Sequence, residues 1–404
     1  MKCSPGLVLF FIFSFVVMGT AQPVSTGQYL AGFRNNEALA SFDIYADQVG
    51  GLKFGLPVAD EINLRTETDQ FNLSRQEYAL RLMFNSWSAG HSYAGEKKWI
   101  TEKIVAKKQM YGAELLLRRY LDLLDVYFVD KQIALLQSDS VFIDSMIQAE
   151  GAIIRGGAGN DIGDVLNWEE KKIDVYKKLT ESRMMAELHK KRTGGLTFDW
   201  AYWPSVAFME SLLTQKENMV SLSEGQARSF NADSVLIRAR WDVSRKNDHR
   251  LLDYAQLRYS KRDNLLFQDE FSIGLGFRLP FKGTQKKQAN DYKLEQYELQ
   301  QEKSLEIWEN AEAVRNALLK FRLLSVQLHS LDIVPTTETT VNLDNPDVYR
   351  MYVTEKKKRS YELAAKKLEL EEKIAIQYLT TLYLMGELEK TPSTNFLSTL
   401  LPSF

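Results

Sequence analysis

Cysteine is nearly absent: Cys3 is the only one in 404 residues. It falls in a leader-like segment, so the rest of the chain offers no thiol nucleophile, disulfide or Cys-based metal site. Histidine is scarce too. His91, His189, His249 and His329 stand singly, with no HExxH or other metal-ligand spacing. No GxSxG elbow occurs, and no pair of carboxylates stands out as an acid and base. Together these gaps argue against an exported hydrolase, and no cofactor or metal is expected. After residue 21 no apolar run approaches the ~20 residues of a membrane-spanning helix. Charge of one sign is not in excess: without Lys2, 50 basic side chains face 53 acidic ones. That balance excludes a protein that tracks nucleic-acid phosphates, so no nucleic-acid partner is expected. Proline is missing between Pro57 and Pro204, so no proline interrupts a long helix there.

What is present begins with MKCSPGLVLFFIFSFVVMGTA, residues 1–21. Lys2 gives a positive head, LVLFFIFSFVV an apolar centre, and Gly19-Thr20-Ala21 a small-residue exit. The pattern predicts a secretory signal peptide cleaved after Ala21. Cys3 precedes the apolar centre and is not placed as a lipoprotein cysteine.

One strand-like phrase is written twice. RQEYALRLMFNSWSAG (75–90) and QDEFSIGLGFRLPFKG (268–283) align without a gap at a shift of 193 residues, matching Glu77 to Glu270, Leu82 to Leu275 and Phe84 to Phe277. In the second copy Phe271, Ile273, Leu275, Phe277, Leu279 and Phe281 alternate with Ser272, Gly274, Gly276, Arg278 and Pro280. In the first, Tyr78, Leu80, Leu82 and Phe84 alternate with Glu77, Arg81 and Asn85. A period of two is the mark of a strand with one apolar face. Each copy follows another alternating run, 61–67 and 254–260, so both units read as antiparallel hairpins. Such hairpins fit a water-soluble sheet with one dry face. They fit equally a membrane barrel, in which Asn63, Arg65, Glu67, Arg81, Arg258 and Arg278 would face a wet lumen. A second internal match, GLKFGLPV (51–58) with GLGFRLPF (274–281), leaves 51–57 open as an extra short strand.

Long helical patterns follow each hairpin. Residues 91 to about 153 carry large apolar side chains at helical spacing, and a helix of that length points to coiled-coil-like packing. Four glycines between 156 and 163 end it, and Asp164 is placed to cap the next helix, which runs to about Arg192. The glycine loop lacks a GK[ST] ending and a preceding strand, so it is not a phosphate cradle. Further helices are expected over about 205–244, 284–330 and 361–388, with a polar turn at 335–347. Leu305, Trp308, Leu318, Phe321 and Leu328 read as packing surfaces.

The order is hairpin, helix, turn, helix, then the same again. This resembles the TolC-like outer-membrane efflux family. The likeness lies in the strand ending Leu279-Pro280-Phe281 before Gly283, the turn GNDIGDVL (159–166) and the closing AIQYLTTLYLMGEL (375–388). It implies a mainly α fold with β: long α-helical hairpins, plus two β-hairpins giving four strands to a trimeric β-barrel above a periplasmic α-helical barrel. It implies a homotrimer in outer-membrane lipid, working with a periplasmic adaptor and an inner-membrane transporter. Tyr78, Leu80, Leu82, Phe84 and Phe271, Ile273, Leu275, Phe277, Leu279, Phe281 would then face lipid. Gly157, Gly159, Asp161, Gly163 and Asp164 would form an adaptor-docking turn. The domains read as 1–21 leader, 22–194 first repeat, 195–390 second repeat and 391–404 tail. The first repeat is shortened, with about forty residues where the family has a long helix. The function expected is a passive exit duct at the outer membrane. The alternative is a non-conducting helical scaffold in the periplasm, separable by conductance. If the faces are assigned correctly, charge at Leu275 should impair assembly more than charge at Gly276.

Overall fold

The structure is a computed structural model that describes residues 25–68, 76–156, 162–194, 202–217, 222–261, 270–277, 282–333 and 346–403. The leader with Ala21, the strand-end residues Arg278, Leu279 and Phe281, and the turn residues Gly157, Gly159 and Asp161 lie outside these.

The chain enters through α1 (Thr26–Ala31), where Ser25 and Gln28 exchange side-chain and backbone hydrogen bonds as a capping box. A single 3-10 turn leads to α2 (Glu37–Gly51), capped by Asn36, whose side chain accepts from the Ala38 amide at 2.9 Å. The segment before the first hairpin is thus largely helical. Residues 52–57 are not a strand. They run extended along the next helix, with Lys97 Nζ donating to the Leu52 carbonyl at 3.3 Å and Phe54 5.5 Å from Tyr93, ring to ring.

The first hairpin is β1 (Ala59–Thr68) and β2 (Gln76–Phe84), followed by α3 (Trp87–Arg155) and α4 (Ile162–Thr193). At 1.5 Å per residue the 69 residues of α3 extend for about 100 Å. Asp164 falls inside the first turn of α4 rather than at its cap. There its charge still complements the positive end of the helix. The single helix expected over 205–244 is two, α5 (Val206–Glu217) and α6 (Glu224–Asp248). Ser223 accepts from the Gln226 amide while Gln226 returns the bond to the Ser223 amide, and this local box sets a fresh helix start. The second hairpin, β3 (Leu252–Ser260) and β4 (Glu270–Phe277), leads into α7 (Lys282–Ile333) and α8 (Pro346–Leu384). Proline at the first helical position costs α8 no internal bond. Gly386, at φ 72°, takes the left-handed conformation that ends this helix before α9 (Glu387–Lys390).

The dry core joins the middle of α3 to the C-terminal parts of α7 and α8. Leu116, Tyr120, Leu124, Phe321, Tyr378 and Leu382 pack there with Leu30 and Phe33 from the entry segment. The C-terminal tail is fastened onto it. Tyr120 Oη donates to the Thr394 carbonyl at 2.7 Å and accepts from the Phe396 amide at 3.1 Å, while Tyr378 Oη donates to the Phe396 carbonyl at 3.3 Å. Leu318, Phe321 and Leu328 are buried as expected of packing residues; Leu305 and Trp308 are not. They belong to a second stripe on α7, Leu294, Tyr297, Leu305, Trp308, Leu319 and Val326, all exposed. At 100° per residue these six fall within about 80° of arc. α4 carries a comparable uncovered set, Ile162, Leu166, Ile173, Tyr176 and Met184.

Candidate functional site

The four strands form one antiparallel sheet in the order β1-β2-β3-β4. Among the described residues β1 and β4 are therefore the open edges of the sheet. Cross-strand partners share a face, so the register fixes which side chains gather where. One row joins Ile62, Leu82, Ala255 and Leu275; the next joins Leu64, Leu80, Leu257 and Ile273; the third joins Thr66, Tyr78, Tyr259 and Phe271. Phe84 and Phe277 continue this face beyond small irregularities in β1 and β3. All the described residues of the apolar set read from sequence thus share one side. Three rings gather at one end of it: Tyr78 is stacked 6.3 Å from Tyr259, and Phe271 lies tilted against Tyr259 at 4.9 Å.

The opposite side collects the polar set. Glu67, Glu77, Ser260 and Glu270 form one row; Arg65, Ala79, Arg258 and Ser272 the next; Asn63, Arg81, Gln256 and Gly274 the third; Glu61, Met83, Tyr254 and Gly276 the fourth. The structure therefore brings Asn63, Arg65, Glu67, Arg81 and Arg258 to one face. Arg65 pairs with Glu67, and Arg258 pairs with Glu77, whose other oxygen accepts from Ser260 Oγ at 3.3 Å. The Arg81 guanidinium sits over the Tyr254 ring, its Cζ 3.5 Å from the centroid. Tyr254 in turn covers Gly276, where an added Cβ would come within 2.0 Å of the ring.

Among the described residues no other element covers the apolar face. Leu64 is 72 % exposed, Phe271 75 % and Ile273 77 %. A contiguous apolar surface of this kind marks a contact with lipid or with another protein. The nine residues of β2 extend for about 30 Å, and a tilt of ~40° would bring that to about 23 Å, close to the ~25 Å apolar band of a membrane barrel. Among the described residues no helix is long and apolar enough to cross a membrane, and no group of His, Cys, Asp and Glu could hold a metal ion.

Sequence reasoning named only part of each face. β1 and β3 alternate as β4 does, so Ile62, Leu64, Leu257 and Tyr259 carried the same signal. Glu77 and Glu270 were visible as a repeat match, but that they share one row with Glu67 depends on strand pairing. The helices hold a separate ionisable cluster. Burial raises the Asp125 carboxyl, with His189 partly offsetting it from 3.9 Å. Burial and then the charge of Asp125 raise Glu372 on α8. Asp139 and Glu371 are also raised by burial. Of the turn residues read from sequence, Gly163 and Asp164 are described, both in the first turn of α4.

No protein-family model matches the sequence, and no curated protein is similar to it. Solved structures are similar. The Campylobacter jejuni CmeC outer membrane channel superposes with a TM-score of 0.57 at 12% identity, covering 89% of this chain and 84% of that one. The outer membrane protein VceC from Vibrio cholerae gives 0.58 at 10% identity, covering 89% and 96%. CusC, solved in a study of folding and transmembrane channel formation, gives 0.60 at 7% identity, covering 89% and 92%. Such identities speak for the fold. With its long helices, its four-stranded two-faced sheet and its likeness to these structures over most of its length, the chain has the TolC-like fold of outer-membrane channels.

Proposed function

We propose that this chain is one protomer of a trimeric outer-membrane exit duct, and that solutes pass through it by diffusion. The observation that carries this reading is the sheet: apolar on one side, charged on the other, uncovered, and open at both edges. A lone chain in water would leave nine large apolar side chains of this face exposed, Ile62, Leu64, Tyr78, Leu80, Leu257, Phe271, Ile273, Leu275 and Phe277. If β4 of one copy pairs with β1 of the next, three copies close a twelve-stranded barrel and remove every edge. Lipid then covers the rows of Ile62, Leu64 and Thr66, and water fills the side lined by Arg65, Arg81 and Arg258. The uncovered stripes on α4 and α7 are the surfaces along which neighbouring copies would pack their helices into a tunnel.

In this reading the leader ends at Ala21, and residues 22–194 and 195–390 are the two repeats. The turn around Gly157, Gly159, Asp161, Gly163 and Asp164 receives a periplasmic adaptor that links the duct to an inner-membrane transporter. The protein acts without catalysis or cofactor. The test is to extract the mature chain from outer membrane, establish its oligomeric state in detergent, and record current across planar bilayers. A compact trimer that conducts supports the duct. A sealed trimer favours a helical scaffold, and a monomer wholly soluble in periplasm ends both the barrel and the duct.

A further inference from the structure

The charged rows on the polar face are unequal. Nearest the strand ends that lead away from the helices stand Glu67, Glu77 and Glu270; one row further in stand Arg65 and Arg258. These two arginines are engaged, Arg65 with Glu67 and Arg258 with Glu77. Arg81 differs in three respects. It is the only charged side chain in its row, beside Asn63, Gln256 and Gly274. Among the described residues it has no carboxylate partner, and its Nε is buried without a hydrogen-bond partner. Its guanidinium is also held at a fixed height, over Tyr254, which is itself seated over Gly276.

Resting on the duct reading, we propose that Arg81 is the specificity-determining residue of the barrel: three copies form a cationic belt that favours anionic solutes. The chemistry follows from this placement. A guanidinium over an aromatic ring can still offer its terminal N–H groups, here those beyond the buried Nε, to carboxylate, phosphate or sulfate oxygens. An anion arriving there displaces no existing ion pair, whereas at Arg65 or Arg258 it would compete with a glutamate already in place. The row around Arg81 holds no acid of its own, and the next row toward the helices holds one, Glu61, beside Met83, Tyr254 and Gly276. Within its own row the charge of the belt is not cancelled, and rings of side-chain charge set ion preference in pores. The effect is electrostatic and is screened by salt.

The experiment measures reversal potentials of the purified full-length trimer in a potassium chloride gradient. Arg81→Gln is expected to lower the chloride-to-potassium permeability ratio by about twofold or more at ~0.1 M salt, with Arg81→Glu lowering it further. Arg81→Lys keeps the charge and should keep the ratio. Replacing Glu77 and Arg258 together with glutamine removes a neutral pair and should leave the ratio unchanged. Channels of Arg81→Gln and Arg81→Glu that conduct with the wild-type ratio overturn the inference and leave the duct intact. A wild-type trimer without current overturns the duct and this inference with it. If the glutamine variant does not assemble, tripolyphosphate added to the wild-type channel on the loop side decides. It should reduce the current at low salt and not at ~1 M salt, where the Debye length falls to ~3 Å. No reduction at low salt overturns the belt.

Discussion

Arginine introduced at Leu275 tests the two faces of the sheet against each other, provided the control is chosen from the structure. Leu275 stands on the apolar side in the row of Ile62, Leu82 and Ala255, one row from the middle. Arginine on the lipid face of a barrel costs ~2–4 kcal/mol at mid-depth and less toward the interfaces, so about 2 kcal/mol per chain is expected here. Three chains bring the loss to about 6 kcal/mol per assembly, enough to depopulate a marginal trimer. Gly276, the neighbour that sequence alone offers as control, is unusable. A Cβ there meets the Tyr254 ring at 2.0 Å, and overpacking of that kind costs ~1–3 kcal/mol by itself. Gly274 is the proper control. Its added Cβ would meet Gln256 Cβ at 3.8 Å, an ordinary contact, and the arginine would extend into the polar side. Its cost should stay within about 0.5 kcal/mol. The assay is outer-membrane yield together with the temperature at which the trimer dissociates in detergent. Leu275→Arg should lose most of both while Gly274→Arg keeps them. Equal tolerance, or greater damage from Gly274→Arg, would refute the assignment of faces.

Two further predictions concern the helices. Tyr120→Phe removes a hydroxyl that serves the Thr394 carbonyl and the Phe396 amide. Leaving those groups unsatisfied should cost ~1–3 kcal/mol, seen as faster amide exchange at Phe396 and earlier unfolding in denaturant, with the sheet unaffected. Glu372 has its carboxyl raised by burial and by Asp125. A raised acid favours folding while protonated, so its contribution is lost as pH rises through its folded-state pKa. Glu372→Gln should therefore raise the melting temperature at neutral pH and flatten its fall as pH rises above the ordinary glutamate range. A variant with the wild-type slope would remove this carboxyl from the account.

The sheet was legible because a strand with one apolar face and one polar face must alternate, and alternation survives in the letters. Phe271 to Phe277 needed no partner to be read. The long helices were legible for a similar reason: proline is missing from Pro57 to Pro204, and a glycine cluster ends the run. Helix starts were harder. The box of Ser223 and Gln226 divides a stretch that reads as continuous, because a cap is a matter of a few backbone angles. The extended path of 52–57 was equally hidden, since it follows Lys97 and Tyr93 on α3 rather than any period of its own.

By itself the sequence determined the two apolar stripes of the hairpins, their repetition and the great length of the helices, because periodicity is a property of one segment and its surroundings. Only the tertiary structure decided the rows: that Glu67, Glu77 and Glu270 meet, that Arg81 stands alone, and that Gly276 is small because Tyr254 lies on it. Rows depend on the register between strands distant in sequence, and backbone hydrogen bonding fixes that register without leaving a mark on either strand alone.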